Sequence, residues 1–598
     1  MSEYRAPLEE ITFALETAGG MADWTSLPGC EEAGPELASA VLEEAGKLAS
    51  EVISPTNKVG DLEGAVLQDD GTVKTPDVFK PMQQAFVEGG WPTLAANPAF
   101  GGQGLPNALA IAVTEMMTSA NMAYSLQQML TSGAIEAIEA HATADQCEKY
   151  LPKMVSGEWT GAMNLTEPSA GSDVGALRSK AERLPDGSYK VKGQKIFITW
   201  GDHDLAENVI HLVLARLPDS PAGTKGISMF LVPKFHVNDD GSLGERNDVK
   251  VASLEHKLGI HASPTCVMAF GEEDNCIGYL VGEENQGMRN MFTMMNHARI
   301  QVGLEGVAIS ERAYQQAVWY ANDRVQSAAI GSPSREPVTI IHHPDVRRML
   351  MTMRAQTEAC RAIVYRNVWA LDRAHKAEGE EERRQGAAEA DLLTPISKSY
   401  STDIGVEMSS LGVQVHGGMG FVEETGAAQH YRDSRIAPIY EGTNGIQALD
   451  LVGRKLRADG GVHWQGLIAE MEAFVGALGG KMAGSKAGLE AGVAALKAAA
   501  DVLVANGNDG MVETAAAATP YLRLFGTVLG GYMLTKQAVE AERRLEAGEG
   551  NPQFLNAKMT TATFFVEQLV PQAVALLENV KAGSASMMAM DNEAFVRN

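Results

Sequence analysis

The sequence has few cysteines and far fewer basic than acidic residues, and each shortage excludes a class of protein. Its 598 residues contain five cysteines, and no two of them form a CxxC pair. This odd and scattered set argues against a disulfide scaffold and against a structural zinc site, so we predict no metal centre. The 49 basic and 76 acidic residues give a net charge of −27, which disfavours binding to nucleic acid or to anionic lipid.

The sequence also lacks an uncharged apolar run long enough to cross a bilayer. Its start, MSEYRAPLEEITFALE, has no basic stretch followed by an apolar core, as a secretory signal would have. We therefore predict no membrane span and a cytoplasmic location. The composition that is present, with 45% hydrophobic and 21% charged residues, is typical of a globular protein. The length predicts several domains.

Hydrophobic periodicity divides the chain into four segments. Residues 1–158 follow helical steps of three and four, as in PELASAVLEEAGKLASEVISP. Residues 159–284 contain short β-branched runs between turns, such as SYKVKGQKIFITW, NVIHLVLARL and KGISMFLVPK. Helical periodicity returns over 285–457, and 458–598 are rich in alanine, which favours a further helical domain. The pattern predicts an α+β protein in the order helical, β, helical and additional helical.

Two stretches at the β segment carry candidate ligand groups. In AMNLTEPSAGSDVGAL, Thr166 and Ser172 offer hydroxyls, and Gly171 lets a ligand approach the backbone. A capped turn is an equally good interpretation of this loop. In KIFITWG, Phe197 could lie against an apolar ring and Thr199 could hydrogen-bond its edge. Taken alone, that stretch is more simply an ordinary β-strand.

The third stretch, QVHGGMGFVEETGAAQHYRDSRIAPIYEGTNGIQ, contains a candidate base. Pro438 predicts that Glu441 lies in a turn, followed by a helix from Thr443 or Asn444. Gln447, three residues after Asn444, resembles a capping box. A buried Glu441 would have a raised pKa suited to general-base catalysis. For an isolated glutamate, however, an exposed acid beside the helix dipole is the favoured alternative.

The order and spacing of LTEPSAGSDVG, KIFITWG, HGGMGF and RIAPIYEGTNGIQ resemble the acyl-CoA dehydrogenase family over roughly residues 37–457. The resemblance implies an N-terminal helical domain, a middle β-barrel domain and a C-terminal four-helix bundle. The YRAPLEEITFAL start, the strand region and the extra C-terminal helical domain are similar to the large bacterial subgroup that includes 3-methylmercaptopropionyl-CoA dehydrogenase.

This resemblance implies FAD-dependent α,β-dehydrogenation of an acyl-CoA to its trans-2-enoyl-CoA. Glu441 would remove the α-proton, and the β-hydrogen would pass as hydride to flavin N5. The subgroup implies 3-methylmercaptopropionyl-CoA as substrate and methylthioacryloyl-CoA as product, in dimethylsulfoniopropionate demethylation. The implied partners are an electron-transferring flavoprotein, which accepts the electrons, and a second copy of the chain in a homodimer, with a tetramer as the alternative.

The resemblance also assigns binding residues. A neighbouring subunit's FAD would be reached by the glycine-rich stretch that begins at Gln414. Asn296 stands where the family often has aspartate, and the Phe-Gly that should follow Arg324 is missing. The FAD-binding residues are Leu165, Thr166, Gly171, Ser172, Phe197, Ile198, Thr199, Arg324, Gln414, Gly417, Gly418, Gly420 and Thr443. The substrate-binding residues are Ser172, Asn296, Arg299, Tyr440 and Gly442.

Three alternatives remain open at this stage. The first is a medium- or long-chain fatty acyl-CoA dehydrogenase of β-oxidation. The second is an acyl-CoA oxidase, which would pass electrons to oxygen. The third is a DNA-associated flavoprotein homologue, which the absence of a basic cluster after Ala458 disfavours. The methionines of NMFTMMNHAR could contact a thioether substrate, but such residues are more often adaptable core.

Overall fold

The computed structural model of the protein describes residues 4–507 and 509–597. Helices form the first segment, where a π-helical stretch over Leu48–Ile53 joins the second helix to the third. A small hairpin interrupts them. These elements are α1 (Leu8–Thr17), α2 (Pro35–Lys47), α3 (Ser54–Glu63), β1 (Val66–Leu67), β2 (Val73–Lys74), α4 (Phe79–Glu88), α5 (Asn107–Ala120), α6 (Met122–His141) and α7 (Ala144–Ser156).

Ten strands follow, and the expected strands in 159–284 are confirmed. They are β3 (Trp159–Asn164), β4 (Lys180–Arg183), β5 (Tyr189–Thr199), β6 (Asn208–Ala215), β7 (Ser228–Pro233), β8 (Phe235–Val237), β9 (Leu243–Arg246), β10 (Val249–Leu254), β11 (Thr265–Phe270) and β12 (Ile277–Leu280). The main sheet has the order β10-β11-β5-β12-β7-β6-β3, with β4 paired to β5. Its pairs are antiparallel except for β3 with β6. Both β6 and β7 are buried along their whole length, which explains why they read as continuous apolar runs.

The remaining chain is helical, so the predicted α+β fold class is confirmed. Helices α8 and α10 run in the same direction and pack closely. The last six helices form the additional C-terminal unit. The elements are α8 (Gly287–Asp323), α9 (Pro344–Lys376), α10 (Glu380–His416), α11 (Ala427–Ser434), α12 (Asn444–Gly453), α13 (Val462–Ala477), α14 (Lys486–Ala505), α15 (Met511–Ala547), α16 (Pro552–Gln568), α17 (Val570–Ala582) and α18 (Ala585–Met588).

Glycines allow the close approach of α8 and α10. A Cβ on Gly303 would lie 2.5 Å from the carbonyl oxygen of Ser397, and one on Gly306 would lie 2.1 Å from that of Ser401. Because both obstacles are backbone atoms, a side chain at either position would force the helices apart. The two helices are therefore held at a fixed separation where they pass beneath the turn that carries Glu441.

We expect Gly306→Ala to destabilise the protein by about 1–3 kcal/mol, because the overpacking exceeds the gain in helix propensity. Thermal unfolding would measure the effect. The matched control is Gly466→Ala in α13, where no atom lies within 4 Å of the added Cβ. That control should be neutral or stabilising by up to about 1 kcal/mol. Equal midpoints for the two variants would contradict the packing argument.

The additional unit packs on the helical bundle through α15. A Cβ on Gly526 would lie 2.4 Å from the ring of Tyr400 in α10, so the two helices are in close contact. Arg523 of α15 donates to Glu407 of α10 at 2.8 Å, and Arg366 of α9 donates to Glu470 of α13 at 2.8 Å. These contacts cover the side of the bundle formed by α9 and α10.

Candidate active site

The turn between α11 and α12 has an unusual backbone at Glu441 and Gly442. Their φ angles are +55° and +81°, in the left-handed region that non-glycine residues seldom adopt. Gln447 Nε2 donates to the carbonyl oxygens of both residues, at 3.3 and 3.2 Å. A Cβ on Gly442 would lie 2.6 Å from that Nε2 atom and would displace the glutamine amide, and the positive φ at this position itself favours glycine. The turn thus fixes where the Glu441 side chain starts.

The expected capping box at Asn444 is wrong. Thr443 is the N-cap of α12 without a side-chain cap bond, and Gln447 serves the preceding turn instead. The Asn444 amide faces α10: it donates to Asp403 Oδ1 at 2.8 Å and accepts from Lys398 Nζ at 2.8 Å. Asn444 therefore ties the start of α12 to α10, because its side chain finds stronger partners there than at the helix terminus.

The Glu441 carboxyl lies in a desolvated site. Its Oε2 atom is buried and has no hydrogen-bond partner among the described residues. Burial raises the pKa of Glu441 to about 7, against the opposing effect of Arg299 and Lys398. The interpretation as an exposed acid in the first turn is therefore wrong, since the residue precedes the N-cap, is half-buried, and has one carboxyl oxygen shielded from solvent. A carboxylate with this pKa can accept a proton near neutral pH.

Arg299 and Tyr440 are brought to the same place as Glu441. Arg299 in α8 is 7% exposed, and its Nη1 atom is 3.4 Å from Oδ1 of the exposed Asn296. Its Nη2 atom would be 3.5 Å from a Cβ on Gly442. The Tyr440 hydroxyl donates to Glu305, also in α8. The sequence-predicted substrate residues other than Ser172 therefore converge on α8 and the turn.

Lys195 joins the two motifs of the β segment, and sequence reasoning missed it. Its buried ammonium donates to the carbonyl oxygen of Leu165 at 3.1 Å and to Glu167 Oε1 at 2.8 Å. The backbone N–H of Ile196 also donates to the carbonyl oxygen of Thr166 at 2.9 Å. The loop that begins with Thr166, Glu167 and Pro168 (the TEP loop) is thus held beside the end of β5, where Phe197, Ile198 and Thr199 lie. No local pattern marks Lys195, because its partners lie about 30 residues earlier.

Phe197 and the TEP loop have side chains and backbone that are exposed on the surface. Phe197 has a φ of +60° and is 58% exposed, although it lies within β5, whereas Ile198 is buried and Thr199 is half-buried. Gly171 and Ser172 are exposed, and a Cβ on Gly171 would meet no atom within 4 Å. An exposed aromatic face in a strained backbone, beside a loop with a free hydroxyl, fits the apolar and polar sides of a flavin ring.

Of the other predicted FAD residues, Thr443 lies in the turn of Glu441, whereas Arg324 and the stretch that begins at Gln414 lie far from Glu441. Arg324 follows the end of α8, 25 residues and about 37 Å beyond Arg299 along the helix. Gln414 lies 16 residues and about 24 Å beyond Lys398 in α10. Because α8 and α10 are parallel, both residues lie at the same end, where Tyr320 and His416 stack at 4.5 Å. Gly417, Gly418 and Gly420 form the next turn. The chain therefore divides its predicted FAD residues into two separate groups.

Membrane-spanning helices and metal sites can be assessed only for the residues that the structure describes. Within residues 4–507 and 509–597, no helix is both long and apolar enough to span a membrane. The same ranges contain no group of three histidine, cysteine or acidic residues arranged to bind a metal ion. The methionines of the NMFTMMNHAR stretch, Met291, Met294 and Met295, are buried in the main core, in agreement with the interpretation as adaptable packing.

Comparisons with known proteins extend along the chain. Residues 38–158, 162–272 and 285–456 match the acyl-CoA dehydrogenase N-terminal, middle and C-terminal domains, and 467–591 match an acetyl-CoA dehydrogenase C-terminal-like domain. The chain is 45% identical to 3-methylmercaptopropionyl-CoA dehydrogenase of Ruegeria pomeroyi over 96% of this chain and 97% of that protein. It is 37% identical to a butyryl-CoA dehydrogenase of Syntrophomonas wolfei over 92% of each.

A solved structure of ACDH-11 from Caenorhabditis elegans, in complex with C11-CoA, has the same fold. It aligns with a TM-score of 0.77 at 19% identity, over 99% of this chain and 97% of that one. The family's enzymes are flavin-dependent oxidoreductases that act on CoA thioesters. The identity to full-length relatives and the four matched domains together show that this chain belongs to the acyl-CoA dehydrogenase family.

Proposed function

We propose that the protein oxidises 3-methylmercaptopropionyl-CoA to methylthioacryloyl-CoA, with Glu441 as the base that removes the α-proton. The choice of Glu441 as base rests on its buried Oε2 atom, which has no hydrogen-bond partner among the described residues. The substrate choice is supported by the 45% identity to 3-methylmercaptopropionyl-CoA dehydrogenase of Ruegeria pomeroyi. The oxidation step itself requires FAD.

In this mechanism Glu441 removes a proton from the carbon next to the thioester carbonyl. Its left-handed turn and the Gln447 bonds fix the backbone from which the carboxylate projects, and a desolvated carboxylate is a stronger base than one in water. The Glu441 backbone N–H would polarise the thioester carbonyl, which stabilises developing enolate charge. Arg299 and Lys398 keep Glu441 ionised at neutral pH by lowering its otherwise higher pKa.

FAD would be held on one side by Phe197, Thr199, Thr166 and Ser172, and when bound it accepts a hydride from the β-carbon. Phe197 offers its exposed ring as a stacking surface, while the hydroxyls would bind the polar edge. Lys195 holds these two segments together without facing the ligand itself, since it is buried against Leu165 and Glu167.

A longer acyl-CoA is the second candidate, and one cavity favours it. A space of about 720 Å³ lies between α5, α6, α8 and α9. It is lined partly by Ile300 and Gln301, the residues that follow Arg299 in α8. This volume is larger than a methylthio group needs and lies within the range of sites for drug-sized ligands. A tail that passed from Glu441 into this space would be a medium or long chain.

We propose a homodimer or a larger homo-oligomer, an electron-transferring flavoprotein as acceptor, and a cytoplasmic location. The distance of Arg324 and Gln414 from the side chains beside Glu441, about 37 Å along α8 and about 24 Å along α10, supports the oligomer, because these residues could contact an FAD bound beside the base of a second copy. Sedimentation of the FAD-bound enzyme would test it. Hydrogen peroxide release during turnover under air would instead favour an oxidase.

We expect 3-methylmercaptopropionyl-CoA to bleach the oxidised flavin absorbance of the purified protein most efficiently in an anaerobic titration. Butanoyl-, octanoyl- and palmitoyl-CoA provide the comparison across chain length. The expectation rests on the 45% identity to 3-methylmercaptopropionyl-CoA dehydrogenase of Ruegeria pomeroyi, whereas a longer tail would have to use the space lined by Ile300 and Gln301. Preference for octanoyl- or palmitoyl-CoA would replace the proposed substrate with a fatty acyl-CoA. A yellow protein that no acyl-CoA bleaches would contradict the proposed function.

A further inference from the structure

A second carboxyl group lies beneath the candidate base. Glu305 in α8 is 3% exposed, and its Oε2 atom accepts a hydrogen bond from the hydroxyl of Tyr440, the residue before Glu441. The other oxygen, Oε1, is buried and has no partner among the described residues. Burying a carboxyl group with half of its hydrogen-bonding capacity unused is costly. An apolar residue would fill the same space without this cost, so the carboxyl needs an explanation.

Three titratable groups face Glu305. Tyr440 and Glu441 come from the turn, and Lys398 comes from α10. Burial raises the pKa of Glu305 to about 8, Tyr440 and Lys398 lower it, and Glu441 raises it further. Lys398 also lowers the pKa of Glu441. One ammonium group therefore acts on two carboxyl groups whose negative charges oppose each other.

Glu305 cannot move away from this arrangement. It lies between Gly303 and Gly306, the two positions at which α8 meets the backbone of α10. The Lys398 ammonium is itself held by Asn444 at 2.8 Å. The three charged groups therefore belong to a rigid part of the fold, and a change in the charge of one must be felt electrostatically by the others.

We propose that Glu305 is a positioning residue that holds Tyr440 and, while it is protonated, adds no second negative charge beside Glu441. This inference rests on the proposed role of Glu441. With Glu305 protonated, no negative charge on Glu305 opposes that of Glu441, and the α-proton passes from substrate carbon to Glu441. The proton of Glu305 stays on its own carboxyl group. When Glu305 ionises, its charge opposes the negative charge that develops on the thioester oxygen, and the reaction slows.

The test is the pH profile of kcat/KM in Glu305→Gln. Glutamine keeps the size of the side chain and can still accept from Tyr440, but it cannot ionise. We expect the wild-type profile to rise through about pH 7 and to fall above about pH 8, as the coupled pair titrates. Glu305→Gln should keep the rise and lose the share of the fall that Glu305 causes, so that its activity at pH 9, relative to its own value at pH 7.5, is several-fold higher than that of wild type. Lys398, whose pKa burial lowers to about 8, titrates in both proteins. Superposable profiles would overturn the proposal.

The matched control is Asp372→Asn in α9. Asp372 is also buried with a raised pKa, which burial causes, but it accepts from Asn107 and from the backbone of Ala108. Asp372→Asn should retain the alkaline fall in kcat/KM. Loss of that fall in both variants would show that it reflects the general stability of the protein. Tyr440→Phe is an independent variant: because the tyrosine bond lowers the pKa of Glu305, its removal should move the alkaline fall to higher pH. An unmoved fall would oppose the proposal.

A second readout needs no turnover. The pKa of Glu305 is higher in the folded protein than in an unfolded chain, so its contribution becomes more destabilising as pH rises from about 4 towards 8. The thermal midpoint of Glu305→Gln minus that of wild type should therefore be larger at pH 8.5 than at pH 5. An equal difference at both values would show that Glu305 does not titrate and would refute the inference. Full activity of a Glu441 variant would refute the base assignment instead.

Discussion

Glu441→Gln is expected to lower turnover by several orders of magnitude while the protein keeps its FAD. An amide has the shape of the carboxyl group but cannot accept the α-proton, and general-base catalysis alone contributes roughly 10²–10⁴-fold. The effect should exceed that of Glu305→Gln at any pH, because Glu441 is the proposed acceptor of the proton. Steady-state rates with 3-methylmercaptopropionyl-CoA, together with the visible spectrum, would measure activity and bound flavin separately.

The matched control for this variant is Glu424→Gln. Glu424 is an exposed acid in the turn before α11, so its change to glutamine should leave turnover and flavin content unchanged. Near-normal activity of Glu441→Gln would rule out its role as base. Loss of flavin together with activity would show that the turn contributes to cofactor binding, and the rate would then have to be measured after reconstitution with FAD.

Lys558→Met is expected to destabilise the protein by about 3–5 kcal/mol, because it removes the ammonium group that bridges two buried acids and leaves them only Arg361 and Arg354 as positive neighbours. Lys558 in α16 is 2% exposed and donates to Glu10 of α1 at 2.8 Å and to Glu358 of α9 at 2.7 Å. It therefore links the additional C-terminal unit to the first helix and to the bundle. Burial raises the pKa of Glu10 to about 7, and Lys558 opposes this rise.

The loss in Lys558→Met should be larger at pH 8 than at pH 5, since Glu10 can take up a proton at the lower pH and relieve the unpaired charge. Denaturant unfolding at the two pH values would measure it. Lys497→Met is the control, because Lys497 and Glu472 form an ion pair that is about half exposed on both sides, and such pairs contribute about 0–1 kcal/mol. Equal losses for the two variants would show that the buried link does not hold the unit in place.

The strands and helices could be predicted from the sequence, whereas the contacts of some side chains could not. The alternation and β-branching of SYKVKGQKIFITW predict β5, and the apolar runs after it predict β6 and β7. Both predictions are possible because the burial pattern of a strand depends on the order of residues close together in the chain. The helical segments followed for the same reason. The predicted capping role of Gln447 is wrong because capping patterns are also local. The pattern does not show that the Gln447 amide hydrogen-bonds to the carbonyl oxygens of the turn before the helix.

The sequence by itself determined the succession of helical and β segments, the turn at Glu441 and the membership in a family, since each depends on residues close together in the chain. The tertiary structure alone decided that Lys195 joins two loops and that Glu305 and Lys398 surround the base. It also decided that Arg324 and Gln414 lie far from Glu441. These relations join residues from tens to more than a hundred positions apart, and their energies come from burial and charge that exist only after the helices and strands have packed.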